Sequence, residues 1–495
     1  HSVLVLERGR WVDRDDSAWD TRAIQVEGKY RTKSPYDANQ WIGRSLLQTN
    51  EAVGGNSVFY GGASFRMRAE DFSDERHAPE LSDYYRYARW PLGYDDFEPY
   101  YTQAEDILGV AGIDSADPTE PPKNSGYKQQ PPVFSLPART VAEAGVALGL
   151  KPFPIPLAIN FQDSGARQCV ECLTCDLYPC KVCAKNDMAV AVLPRAQAAG
   201  ATVSPFSIVK SLARTGSRIT SVSYIDANTR EEQSVSCDVC VLSAGAINST
   251  KLLLASGLND IEPNGRMIGK YLMRHCSGIA MGVFGHETNP ERRFHKQVAF
   301  TDFYHGHPNG RGPAGPWGMI QGLQVPTPEF ISMAPFPLGW IGAKSHKYHN
   351  YLLCMAEDAP QESSCVDLSR NRVDPYGIPI ASVTHHYLPH DRALRRALLR
   401  EASRILREAN AILRLRKTIN TFSHALGTCR FGEDPEHAVL DINCRVHGTD
   451  NLFVIDSSFM PTSAGVNPSL TIMANALRVC DHMNRSWSTY SGATM

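Results

Sequence analysis

At 495 residues, 42% hydrophobic and 21% charged, the chain is long enough to bury roughly two or three domains' worth of packed core. A net charge of −2 gives no electrostatic footing for nucleic acid or an anionic membrane. No apolar run approaches the roughly 18 residues that span a bilayer, and there is neither a tandem repeat nor a low-complexity tail.

His1 to Glu7 is an apolar run ending in an acid, the pattern of the second strand of a dinucleotide-binding fold, where Glu7 would accept hydrogen bonds from an adenosine ribose. An ordinary strand and helix unit would write the same run. A dinucleotide fold carries a G-x-G-x-x-G phosphate loop about 20 residues before that acid. The first strand and phosphate loop are therefore expected to be missing. With no initiator methionine, the chain reads as the N-terminally truncated part of a longer protein, one that by itself holds a dinucleotide poorly. A secretory signal, and with it the choice between cytoplasm and periplasm, stays open.

Gly54-Gly55-Asn56-Ser57, followed by Gly61-Gly62, is a small-residue loop that lets backbone approach a phosphate or a flat ring. Trp90-Pro91 leads into Asp95 to Val110, an amphipathic helix with Phe97, Tyr100, Tyr101, Ala104, Ile107 and Leu108 on one face, read as core packing. The proline-rich stretch from Pro118 to Pro137 predicts a surface excursion or a lid.

Of thirteen cysteines, five fall at Cys169, Cys172, Cys175, Cys180 and Cys183, spaced C-x2-C-x2-C-x4-C-x2-C. Thiolates two residues apart can reach one iron–sulfur cluster or a tetrahedral zinc. The spacing matches neither a ferredoxin run nor a two-pair zinc ribbon, so a disulfide or a reduced structural loop is the third reading. Cys237, Cys240, Cys276, Cys429 and Cys480 read as buried thiols.

Val239 to Leu242 is a strand that Ser243-Ala244-Gly245-Ala246-Ile247-Asn248-Ser249 turns into a helix carrying Leu252, Leu253 and Leu254 and closed by Gly257. Residues 276 to 389 show short strands broken by Gly and Pro, which predicts an antiparallel sheet. There Trp317, Phe336 and Trp340 read as pocket wall or as core. A helix follows with Leu394, Leu398, Ala402, Ile405 and Ala409 along one face.

His424 lies in a glycine-containing turn. Asn451 to Asp456 predicts a buried parallel strand delivering Asp456 to its carboxyl end, where ligands of open α/β sheets bind. Asn467 reads as an N-cap and Pro468 as the first helical residue, with Leu470, Met473, Ala474 and Leu477 at helical spacing. The positive end of that helix favours an anionic group, and the Asn467 amide either binds a hydroxyl or merely caps.

On His424-Ala425-Leu426-Gly427-Thr428-Cys429, Asn451 to Ser458 and Asn467-Pro468 to Ala474, the chain resembles the glucose-methanol-choline (GMC) family of FAD-dependent oxidoreductases. The resemblance extends to Glu7, to the stretch from Gly54 to Gly62, where Tyr60-Gly61-Gly62 departs from the family's Asn before the last glycine, and to the Ala244-Gly245 turn. It implies an α/β chain with a Rossmann-like FAD domain from residues 1–84, 188–275 and 424–495. A helical, lid-like and cysteine-rich segment would span 85–187, and an antiparallel-sheet substrate domain 276–423.

It also implies that His424 is catalytic with Asn467 beside it, that Asp456 contacts FAD, and that Val209 turns its backbone toward adenine. Oxidising a CH–OH group needs a base at the hydroxyl and a hydride acceptor at the carbon; His424 suits the first task, FAD the second. The substrate is a small alcohol, a sugar, polyol or other. A dehydrogenase is preferred to an oxidase because the cysteine loop suggests an electron outlet to an acceptor protein or quinone. The alternatives are a flavin- or metal-binding protein without this activity and a lyase or decarboxylase of the same family.

Overall fold

Parallel strand pairs need long crossovers because no tight turn can join their ends, and the three parallel pairs among the described residues each join segments far apart in the chain. In the computed structural model, which describes residues 1–38, 49–73, 77, 81–162, 165 and 167–491, Leu4–Leu6 pairs in parallel with Thr202–Ser204. Cys240–Leu242 pairs in parallel with Leu452–Val454, Leu452 opposite Cys240. Leu452, Phe453 and Val454 are fully buried, as the continuous apolar run predicts for a strand covered on both faces. The buried Asn451 amide exchanges two hydrogen bonds with the backbone of Ile219, at 2.8 and 2.9 Å. That ties the pair to a three-stranded antiparallel meander of Ser207–Thr215, Arg218–Asp226 and Glu232–Ser236.

The antiparallel sheet expected after residue 276 has six strands. In spatial order they are Leu413–Thr418, Cys276–Val283, His349–Ala356, Gly318–Leu323, Val298–Phe300 and Phe153–Pro154. Alternate residues of Cys276–Val283 are buried, and the helix Pro389–Glu408 lies along that side with Leu394, Leu398, Ala402 and Ile405 inward. Glycines admit it closely: a Cβ on Gly278 would stand 2.9 Å from Leu399, and one on Gly282 3.1 Å from Leu406.

The amphipathic helix spans Tyr94–Leu108, stopped by Gly109 in the left-handed region at φ 54°. It packs on the helix Ser469–Arg485, with Tyr101 and Thr471 hydroxyls 2.7 Å apart. Buried Arg66 reaches into it, donating to both oxygens of Glu105 at 2.8 Å and to Glu98 at 3.0 Å. Arg68 pairs with Asp117 and donates to Thr119 at 2.9 Å, while the Tyr94 hydroxyl donates to the Pro122 carbonyl at 2.6 Å. The proline-rich stretch is thus a strap tied to the core. Among the described residues no helix is long and apolar enough to cross a membrane.

Three sequence expectations fail on position. Trp317 is core, 3% exposed, but Phe336 and Trp340 are 85% and 54% exposed and lie on the surface. Cys480 is exposed on the outer side of its helix, and Cys237 is only half-buried.

Leu398→Ala, which opens a cavity under the helix, is expected to cost about 2–5 kcal/mol, read as a lower thermal midpoint. Arg407→Ala on the exposed side should shift stability by less than about 0.5 kcal/mol. A Leu398→Ala midpoint equal to the parent's would mean the helix is not packed on the sheet.

Candidate active site

The carboxyl ends of the parallel strands gather most of the residues singled out in the sequence. Glu7 follows Leu4–Leu6 directly; its Oε1 accepts the Gly9 N–H at 2.7 Å. Burial, with the Glu51 carboxylate adding to it, pushes its pKa up to about 7. The Glu7 carbonyl accepts from Ser207 N at 2.8 Å, two residues before Val209, whose backbone pairs with Tyr224 in the meander.

The glycine stretch lies alongside. Val53 N–H donates to the Arg10 carbonyl at 2.9 Å, and Gly54 takes φ 93° ahead of a short 3-10 turn, Gly55–Phe59. The Ser57 hydroxyl donates to the Gly54 carbonyl at 2.6 Å and accepts from Met188 N at 3.0 Å. Asn56 is exposed. Gly61 and Gly62 serve packing: a Cβ on Gly61 would fall 1.7 Å from Asp176 Oδ1 and 2.1 Å from Lys296 Nζ, and one on Gly62 3.1 Å from Ile159.

Asp456 caps the turn Ser457–Phe459. Its Oδ1 accepts from Ser458 N at 3.0 Å and Ser458 Oγ at 2.6 Å, and its Oδ2 from Gly245 N at 2.9 Å and from the Ser249 hydroxyl. Four donors fill the carboxylate's acceptor positions, while burial raises its pKa against them. Ala244 N–H also donates to Ser249 Oγ, at 3.0 Å. The carboxylate clamps the ends of two parallel strands and sets the start of the helix Ala246–Ala255.

The run after His424 lies against that turn. Ser457 Oγ donates to the Ala425 carbonyl at 2.7 Å, Gly427 N to Ser457 O at 3.2 Å and Cys429 N to Ser458 O at 2.9 Å. Gly427 has φ 89°, and a Cβ there would strike Met273 and the Tyr271 carbonyl, each at 2.6 Å. His424 is therefore held at the carboxyl end of the buried strand. Its Nδ1 lies 3.0 Å from Nδ1 of His275, the rings edge to face at 83°. Burial, then the charges of His275 and Lys296, push the His424 pKa down to about 3.

His275 was not among the sequence candidates. Its backbone is left-handed, φ 61°, and is gripped by Asp358, whose oxygens accept from Arg274 N and His275 N at 3.0 Å each. The only sequence signal is a polar Arg274-His275 pair interrupting an apolar lead into a strand. Asn467 differs by one residue from expectation. The Pro468 carbonyl accepts from Ile472 N at 3.0 Å, so the helix runs Ser469–Arg485 and Asn467 makes no cap. Instead its Oδ1 faces Gln321 Nε2 at 3.5 Å, and the buried Gln321 Oε1 has no partner among the described residues. A lone glutamine in an apolar strand was the overlooked signal.

The cysteine run makes no metal cage: among the described residues no three Cys, His, Asp or Glu side chains are grouped to hold an ion. Its five thiols are free and half-buried. An ammonium organises the loop, with Lys185 Nζ donating to the carbonyls of Tyr60, Cys175 and Tyr178 at 2.7, 2.9 and 2.8 Å. Burial raises the Cys169 pKa to about 12 and those of Cys175 and Cys183 upward.

The residues present fit a flavin dinucleotide. Gly55, in the glycine stretch, and Gly245, whose N–H the Asp456 clamp holds, have φ 60° and 81° and nothing within 4 Å of where a Cβ would project, which leaves open space at both turns. Two profiles described as GMC oxidoreductase match residues 42–277 and 360–476. The 6'''-hydroxyparomomycin C oxidase of Streptomyces lividus is 32% identical over 468 residues, 88% of this chain and 79% of that protein. The 2-methyl-1,2-propanediol dehydrogenase of Mycolicibacterium austroafricanum is 27% identical over 522 residues, 99% and 92% of the two chains. Among solved structures, pyridoxine 4-oxidase from Mesorbium loti matches in fold with a TM-score of 0.65 at 19% identity, covering 98% of this chain and 94% of its own. The parallel-strand half is accordingly a Rossmann-like FAD domain beside an antiparallel-sheet domain, and the chain belongs to the GMC oxidoreductases, FAD-dependent enzymes that oxidise alcohols.

Proposed function

We propose that this protein oxidises a CH–OH group of a polar alcohol, a sugar or polyol, with His424 as the base that takes the hydroxyl proton. Bound FAD supplies the hydride acceptor at N5. What supports the reading is the place of the His424 imidazole, seated at the carboxyl end of the buried parallel strand where burial disfavours its charged form, so that its free lone pair is open to a proton. Asn467 has no basic lone pair to offer; its amide orients the hydroxyl. Gln321, buried with an unpaired Oε1 next to Asn467, favours a substrate with a second donor, since an apolar one would leave that oxygen unmatched. The relatives named paromamine 6'-oxidase and fructose dehydrogenase large subunit support a sugar-like class. The relatives include oxidases and dehydrogenases, and FAD-linked alcohol oxidation is the activity they have in common.

In full-length, FAD-loaded protein, His424→Ala should keep its flavin and lose about 10²–10⁴-fold in the rate of anaerobic flavin reduction by alcohol. Near-normal reduction would reject the base.

The pH dependence has a definite sign. A base is lost on protonation, and the His424 pKa sits at about 3 instead of the ordinary 6.5. The reduction rate should then show no acid limb from this residue between about pH 8 and about pH 5, falling only as pH approaches the depressed value. A limb centred near the ordinary imidazole value would contradict it.

Asp456→Ala removes charged-group hydrogen bonds worth roughly 1.5–3 kcal/mol each, not fully additive. It should lower the thermal midpoint and the FAD content together, whereas Asn467→Ala should leave both near the parent and slow reduction. Equal FAD loss in the two variants would remove the division of labour.

A further inference from the structure

We propose that His275 is a positioning residue that fixes the proton on His424, holding the base as the tautomer with Nδ1–H and a bare Nε2. The inference rests on the reading of His424 as the base. The Ser463 carbonyl can only accept, and His275 Nε2 lies 2.8 Å from it, so His275 carries its hydrogen on Nε2. A neutral imidazole has one N–H, which leaves His275 Nδ1 as an acceptor. His424 Nδ1, 3.0 Å away, is then the donor, and Nε2 of His424 is left with the lone pair. Burial disfavours the charged form of both rings, so the single-proton count holds for each.

The direction of this chain is anchored from behind. The Ser463 hydroxyl sits between Asp358 N and O, at 3.1 and 3.3 Å. Arg274 Nε, which can only donate, faces His385 Nδ1 at 3.2 Å, so His385 donates from Nε2 to Asp358 Oδ2 at 3.1 Å. His275, Ser463, Asp358, His385 and Arg274 are all at most 5% exposed. Every polar contact has one sense, and no ring is free to reverse it. Asp358 grips the backbone of His275, so a carbonyl and not a carboxylate orients the His275 ring. When the alcohol O–H bond breaks and the Nε2–H bond of His424 forms, the proton stays on His424, and its Nδ1–H becomes a charge-assisted donor to His275.

Nitrogen NMR of histidine-labelled protein should read neutral His424 as protonated on Nδ1. His275→Phe keeps the ring and removes the acceptor; it should mix the His424 tautomers and slow flavin reduction by about 10–100-fold, the usual worth of a group that orients a histidine. KM should stay near the parent value. His275→Asn, whose Oδ1 falls near the place of Nδ1, should restore the tautomer and most of the rate. An Nε2–H tautomer in the parent protein overturns the inference whether or not the variants fold, as does a folded His275→Phe with parental tautomer and rate. Nδ1–H in the parent alongside undiminished reduction in His424→Ala would retire the base and leave the tautomer assignment standing.

Discussion

The carboxylate of Asp456 holds together elements that the chain itself leaves unjoined. Cys240–Leu242 and Leu452–Val454 run parallel, so no turn links their carboxyl ends. Asp456 ties them by taking Gly245 N and Ser249 Oγ from one side and both Ser458 donors from the other. The turn it caps carries the contacts that seat residues 425 to 429, so the orientation of one buried anion propagates to His424. Burying a carboxylate is costly unless its lone pairs are filled, and here they are filled from within the protein. That favours a structural role for the carboxylate itself and leaves the neighbouring backbone and the open side of Gly245 for the cofactor.

Asp358 repeats the device on the other side of the histidine pair. It accepts the amides of Arg274 and His275 and so holds His275 in a left-handed conformation that costs a residue with a side chain about 1–3 kcal/mol. Without that grip the backbone would relax and the ring would leave His424. Both braces act on backbone N–H groups, which have little freedom to move. A histidine pair preorganised this way loses little entropy when a ligand arrives.

What the sequence made legible was local. Apolar runs ending in Glu7 or Asp456, the glycine turns at Gly54 and Gly245, and the inward face from Leu394 to Ile405 follow from periodicity and residue type over a few positions. The placement of His424 was legible only through a long family block, since one histidine in a turn carries no signal of its own. His275, Asp358 and Gln321 were not legible because their partners lie far off in sequence, 149 residues between the two histidines and 146 between Gln321 and Asn467. Asn467 misled by one residue because Pro468 suits either the cap or the first turn.

Of the three readings of the cysteine run, the reduced structural loop agrees with the free thiols; thiol spacing is visible in sequence, and the acceptors of an ammonium are not. Lys185 spends its three hydrogens on three carbonyls, which satisfies a buried cation without any thiolate. The same loop presents Asp176, which pairs with Lys296 at 2.8 Å directly over Gly61. The loop thus frames the glycine stretch and fixes a charge near His424. Lys296 disfavours a second cation at His424, but burial acts first, then His275, and Asp176 offsets part of the lysine's charge. The neutral state of His424 is therefore owed mainly to the wall around it, and it survives salt that would screen an exposed charge, because buried groups are screened least.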